Sequence, residues 1–178
     1  MSSSPHRVPR RTFEALLRPE VVQLSATARE ALREAGVEVG QLQPGYDLPT
    51  LRRVMDAIRR LECPALPVGD GFREVGRRFV QGFKQTPIGW IFGTMAPLFG
   101  PVRTLQQLPN YLSSVREEFP VTVVTEGETR FRLVCLDPEA QPHFMAGCIE
   151  GVLLTCGVTS AQVTVVEQAL GFELEISW

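Results

Sequence analysis

The sequence predicts an α+β fold: an N-terminal helical half followed by a β-β-α-β-β antiparallel sheet with one helix packed on it. Three observations carry this. Between Ser25 and Leu112 apolar residues recur every three or four positions, whereas after Phe119 they recur every second position. The later strands are joined by short turns, which only antiparallel pairing allows. One apolar segment, "FMAGCIEGVLLTCG" from Phe144 to Gly157, separates the two strand pairs and fits a helix lying across the sheet.

The elements follow in order. Residues 1–11 are dominated by Ser, Pro and Arg and are expected to be a disordered tail, leaving residues 12–178 as a single domain. "SATAREALREAG" predicts a helix with Thr27 and Glu30 as a capping box and Gly36 as its stop. "YDLPTLRRVMDAIRRLEC" predicts a second, capped by Asp47 with Pro49 in its first turn. In "GDGFREVGRRFVQGFKQT" Asp70 is the expected cap, and Phe72, Val75, Phe79 and Phe83 form an apolar stripe. Thr86 and Pro87 open a further helix whose Gly89 and Gly93 leave one face nearly bare. A short helix around "VRTLQQLPNYL" follows Gly100-Pro101.

"FPVTVVTEGETRFRLVCL" then predicts two strands around Gly127, with Phe131, Leu133 and Cys135 on one face. Asp137 and Pro138 are the expected start of the late helix, although Pro142 inside the span favours a start nearer Gln141. On a helical wheel Met145, Cys148, Ile149, Val152 and Cys156 share one face. Glu150 lies off that face, and Gly147 and Gly151 make a bare strip where another backbone could come close. The cysteines of this helix are therefore read as packing residues. In the last strand Phe172, Leu174, Ile176 and Trp178 alternate with polar residues, which places the closing tryptophan on the sheet face.

Composition excludes several functions. With 44% hydrophobic and 21% charged residues and a net charge of −2, nothing calls for a nucleic-acid partner. The longest apolar run is broken by Pro97 and is too short to span a bilayer, so no membrane insertion is expected. The four cysteines stand behind no recognisable secretory leader, so a reducing, cytoplasmic setting without disulfides is expected. Seventeen arginines accompany one lysine, Lys84. Neither a metal nor a cofactor is expected: there is no C-x-x-C, and on a helix His143 and Cys148 point about 140° apart. Nucleophile elbows, Walker loops and dinucleotide fingerprints are absent.

Some residues remain candidates. Cys63, before Pro64 at a helix end, is the thiol expected to be modified if any is. Arg73, Arg77 and Arg78 run beside the phenylalanine stripe, either as a solvated face or as a docking surface for an acidic partner. Gly89 and Gly93 permit close helix contact, either in a core or across a homodimer, and are candidates for an interaction surface. "NYLSSVRE" nearly matches the Tyr-x-Ser-x-Arg motif of haem nitric-oxide sensors through Tyr111, Ser113 and Arg116, but the arginine comes one residue late and no upstream histidine is placed to be an axial ligand.

The stretches "LSATAREALREAGVEV", "QPGYDLPTLRRVMDAI", "REVGRRFVQGFKQTPIGWIF", "FGPVRTLQQLP", "FMAGCIEGVLLTCGV" and "VTVVEQALGFELEISW" together resemble a myxobacteria-restricted, paralogous family of uncharacterised proteins of about this length. Gly76-Arg77, Thr86 with Gly89, Gly100-Pro101 with Arg103, Gly147 and Trp178 are its marks. The resemblance implies no catalytic residue. More distantly, the element order resembles the fold shared by haem nitric-oxide sensors, vinyl-reductase-type sensor domains and core subunits of vesicle-tethering complexes. That resemblance implies a small hydrophobic or tetrapyrrole ligand, or dimerisation through helices. The vinyl-reductase-type cysteine pattern is missing from the last two strands. The expected function is a non-enzymatic regulatory or small-ligand-sensing module, homodimeric. The alternatives are an interaction adaptor using the Arg/Phe helix and an enzyme of unknown reaction.

Overall fold

Phe72, Val75, Phe79 and Phe83 are all buried on one side of a single long helix, as their spacing requires. The computed structural model describes residues 8–115 and 119–178. Its elements are β1 (Val8–Pro9), α1 (Arg10–Leu16), α2 (Ala26–Glu34), β2 (Gly45–Tyr46), α3 (Leu48–Glu62), α4 (Val68–Lys84), α5 (Pro87–Gln106), α6 (Leu108–Val115), β3 (Val121–Thr125), β4 (Arg130–Cys135), α7 (Pro142–Thr155), β5 (Gln162–Gln168) and β6 (Gly171–Ser177).

The four later strands form one antiparallel sheet in the order β3-β4-β6-β5. Its register sets Phe131 opposite Ile176, Leu133 opposite Leu174 and Cys135 opposite Phe172. All six are buried, so the period-two pattern becomes one continuous apolar face. α7 packs on β5 and β6, and α4 packs on α7. Trp178 stacks on Phe131 with ring centroids 5.4 Å apart and planes within 5°.

The α4–α7 contact depends on missing side chains. A Cβ on Gly147 would collide with the carbonyl oxygen of Arg73, and one on Gly76 would collide with that of Phe144. A Cβ on Gly151 would stand 3.0 Å from the Cβ of Val80. The bare strip predicted on α7 is thus filled by α4, and Gly76 supplies the matching gap. Helix backbones this close exclude water along the seam and gain dispersion contacts along their length.

Several local expectations are corrected. Residues 1–7 lie outside the described residues, but Val8 to Arg11 are no tail. Val8 is fully buried in β1, which pairs with β2 through Val8–Tyr46, and Arg10 opens α1. Ser25, not Thr27, caps α2, its Oγ accepting the Ala28 N–H at 3.1 Å, and Glu30 turns to Arg33 instead. α4 begins at Val68 after Pro67, so Asp70 sits inside the first turn, where its charge still suits the helix dipole. Asp137 accepts the Glu139 N–H in a turn, and α7 starts at Pro142 with Gln141 as cap. A proline lacking an N–H is harmless only at that first position. α5 is interrupted at Gly100, whose φ of 74° breaks the helix between Phe99 and Pro101.

Asp47 caps α3 as expected, accepting the Thr50 N–H at 2.8 Å. Hydrogen bonding from the Thr50 side chain, then from its backbone, holds the carboxyl below its ordinary range. A lowered folded value means the cap's stabilisation is present at neutral pH and is lost as pH falls through that value.

Gly147→Ala should destabilise the protein by at least about 1–3 kcal/mol, because α4 must move to admit the methyl group. Gly127→Ala, at an uncrowded turn, should stay within about 0.5 kcal/mol of the parent. Urea midpoints of the two variants check this.

Candidate functional site

The aromatic residues of α4 meet those of neighbouring helices without filling all the space between them. Phe79 packs on Phe144 with ring centroids 5.5 Å apart, Phe83 on Phe92 at 6.4 Å, and Phe92 edge-on to Tyr111 at 5.1 Å. Two adjoining apolar cavities remain. The first, about 80 Å³, lies where α1, α3, α4, α6 and α7 converge, among Leu16, Leu48, Met55, Phe79, Leu112 and Met145. Among the described residues its only charged lining residues are Arg52 and Glu139, both exposed. The second, about 60 Å³, is enclosed by Phe83, Phe92, Leu108, Tyr111, Ile149 and Val152. Phe79, Leu112, Met145 and Cys148 wall both.

Cys148 sits at the junction and is chemically quiet. Its Sγ donates to the Gly76 carbonyl at 3.5 Å, and burial pushes its thiol far above the ordinary range. Cys63 is also buried, beside Gly71 of α4, and burial raises its thiol too. The exposure expected of a cysteine at a helix end before proline is therefore lost to packing by the next helix. Cys156 is the half-buried one: burial raises its thiol, and a hydrogen bond with Thr104 lowers it in part.

The arginine stripe is tied down. Arg73 Nε donates to Glu150 Oε1 at 2.8 Å, and its Nη2 reaches both that carboxylate and the carbonyl of Val163 on β5. One guanidinium thus fastens α4 to α7 and to the sheet. Arg77 lies 3.6 Å from Glu150 and 3.2 Å from Glu74. Arg78 pairs with Glu74 at 2.8 Å and Glu62 at 3.3 Å. Arg73 thus ties elements of the fold together, while Arg77 and Arg78 remain partly exposed beside their acidic partners.

Gly89 and Gly93 face inward as well. A Cβ on Gly89 would collide with the Phe83 carbonyl, and Gly93 is covered by the stem of Lys84 at 3.3 Å. Thr86 explains the tight turn: its hydroxyl donates to Phe83 O at 2.7 Å and accepts the Gly89 N–H at 3.1 Å. The bare glycine face is used within the chain, so these two residues present no face to a second copy.

Of the near haem motif, Tyr111 lines the second cavity and Ser113 donates to Asn110 O at 2.7 Å, while Arg116 lies outside the described residues. His143 stands at the start of α7 with its ring against Gly69, away from both cavities. Among the described residues no cluster of three His, Cys, Asp or Glu could hold a metal, and no helix is long and apolar enough to cross a membrane.

The model of a family described as "Protein of unknown function (DUF2378)" matches residues 6–178. The chain belongs to this family. By sequence, no curated protein matches it. Among solved structures, a variant of an unliganded Fe(II) H-NOX protein from K. algicida superposes with a TM-score of 0.68 at 11% identity, over 95% of each chain. An oxygen-binding H-NOX domain related to soluble guanylate cyclases gives 0.64 at 16% identity, over 94% of this chain and 89% of that one. A T. tengcongensis H-NOX variant gives 0.58 at 17% identity, over 84% of each. The DUF2378 chain therefore has the H-NOX fold, and at these identities the likeness extends to the fold alone.

Among the DUF2378 residues that marked the resemblance in sequence, Gly76 and Gly147 are contact points at the α4–α7 seam and Thr86 and Gly89 at the α4–α5 turn, while Gly100 meets no neighbour and serves the break in α5 through its positive φ. Arg103 lies over the Phe99 ring at 5.0 Å.

Two outcomes check this subsection. A thiol reagent at pH 8 should label Cys156 first and leave Cys148 unlabelled until the protein unfolds. In a double-mutant cycle, Arg73→Met and Glu150→Gln should couple by about 1–3 kcal/mol, since the pair is mostly sequestered yet retains some solvent.

Proposed function

We propose that this chain is a non-enzymatic sensing module that binds a small apolar molecule in the two adjoining cavities. The observation that carries the reading is the pair of apolar spaces themselves, walled jointly by Phe79, Leu112, Met145 and Cys148. Well-packed cores rarely leave such room, and an apolar cavity that stays dry takes up apolar molecules.

The structural neighbours include a haem protein, an Fe(II) protein and an oxygen complex. The residues here do not fit haem. Iron takes histidine, thiolate, methionine or tyrosinate. Met55, Met145 and Tyr111 line the cavities, but among the described residues no histidine does, and the Cys148 thiol is held protonated by burial with its sulfur turned to Gly76, so room for the macrocycle decides. Cavities of about 80 and 60 Å³ fall well short of the roughly 300–1,000 Å³ of a cofactor or drug-sized site. The rings of Phe79, Phe83, Phe92, Tyr111 and Phe144 occupy the space between the helices.

A ligand in this position presses on α6 and on the inner side of α5 while α4 and α7 stay locked at their glycine seam. That gives binding a direction of movement, which a sensor requires. The adaptor reading through Arg73, Arg77 and Arg78 loses part of its support because Arg73 is turned to Glu150 and Val163, while Arg77 and Arg78 keep solvent access beside their ion-pair partners. The candidate site also lacks a nucleophile–base pair, and its one shared thiol is protonated, which favours a binding role over catalysis.

Benzene and indole serve as probes. Either should raise the melting temperature of the parent, with up to about 2.7 kcal/mol of stabilisation at one hundred times its dissociation constant. Leu112→Phe, which fills the junction, should abolish the response. Added hemin should give no stoichiometric, axially ligated absorption band. Failure of both probes to stabilise the parent, or tight stoichiometric haem binding, would remove this reading.

A further inference from the structure

We propose that the outer face of α5 docks a second copy of this chain. Residues 85–102 contain no charged side chain. The inner side of α5 is buried through Gly89, Phe92 and Ala96. The outer side leaves Trp90 66%, Ile91 58% and Leu98 75% exposed, flanked by Ile88 at 42%, Phe99 at 38% and Val102 at 37%. A helix apolar all round belongs in a buried setting, and half of this one is uncovered. The uncovered side chains amount to roughly 600 Å², at the top of the roughly 300–600 Å² that the largest patch on a monomer reaches and about three quarters of the roughly 800 Å² that each partner gives to a specific interface.

The occupant follows from the charge around the patch. A charge-free face has nothing to recognise an acidic or basic protein. It is complementary to itself, since a two-fold arrangement sets the same apolar groups against each other without opposing like charges on the face. Its one hydroxyl is already satisfied: Thr94 Oγ1 donates to Trp90 O at 2.9 Å. The cations at its two ends are folded back onto the chain. Lys84 Nζ donates to Gln81 Oε1 at 3.2 Å, and Arg103 lies over Phe99. An anionic lipid surface would need those charges presented outward. The docking face is opposite the side of α5 that carried the glycine expectation, and it does not depend on the ligand reading.

Sedimentation equilibrium of the full chain at tens of micromolar tests this. The parent should be a dimer. Ile91→Glu and Leu98→Glu together should weaken association by at least about a hundredfold, as loss of central apolar anchors does. Both positions are exposed, so the circular-dichroism melt extrapolated to the monomer should barely change. A monomeric parent overturns the proposal. So does a dimer indifferent to the two substitutions, or a monomer that co-sediments with phosphatidylcholine/phosphatidylserine vesicles through the same two residues.

Discussion

Everything in this fold hangs on two helices whose backbones touch. α4 and α7 meet backbone to backbone at Gly76 and Gly147, and one turn further on the Val80 side chain packs directly on Gly151. α7 is thereby pinned between α4 and the sheet, and its apolar residues can face the strands on one side and the cavities on another. Among the described residues the helical half has no other comparable attachment to the sheet. A clamp in a second direction reinforces it, because Arg73 reaches from α4 past Glu150 on α7 to the β5 backbone. Dispersion fixes the distance between the helices, and the charged pair fixes their rotation.

The same seam explains why there is room elsewhere. Where α4 carries Gly76 it lies against the α7 backbone, and where it carries Phe79 and Phe83 the large rings hold α5, α6 and α7 away. Rings packed at angles leave gaps that aliphatic side chains would fill, and the cavities sit in those gaps. Close contact and open space thus alternate along one helix according to the size of its residues.

The sequence made much of this readable, and the failures share a cause. Period-two and period-3.6 patterns are local, so the strands, the main helices and their apolar faces could be placed from them. The wheel even located the bare strip of Gly147 and Gly151. What it could not show was the element that fills the strip, since nothing local links Gly147 to Gly76. Arg73 looked like a surface residue for the same reason: its partner Glu150 stands 77 positions away. Cys63 looked exposed because burial by α4 is a tertiary fact. The cavities left no mark at all, for a void belongs to assembled surfaces and not to any one residue. Short elements such as β1 and β2 escaped because two residues carry no period.

The paired glycines also limit how this architecture can change in length. One residue inserted into α7 between Gly147 and Gly151 would turn the remainder by about 100° and carry Gly151 away from Val80. The same insertion in α4 after Gly76 would swing Phe79 and Phe83 out of the ring cluster. Loops such as 36–44 and 136–141 carry no such phase. Natural and engineered insertions therefore have places to accumulate, and two helices whose residue count acts as a mechanical setting.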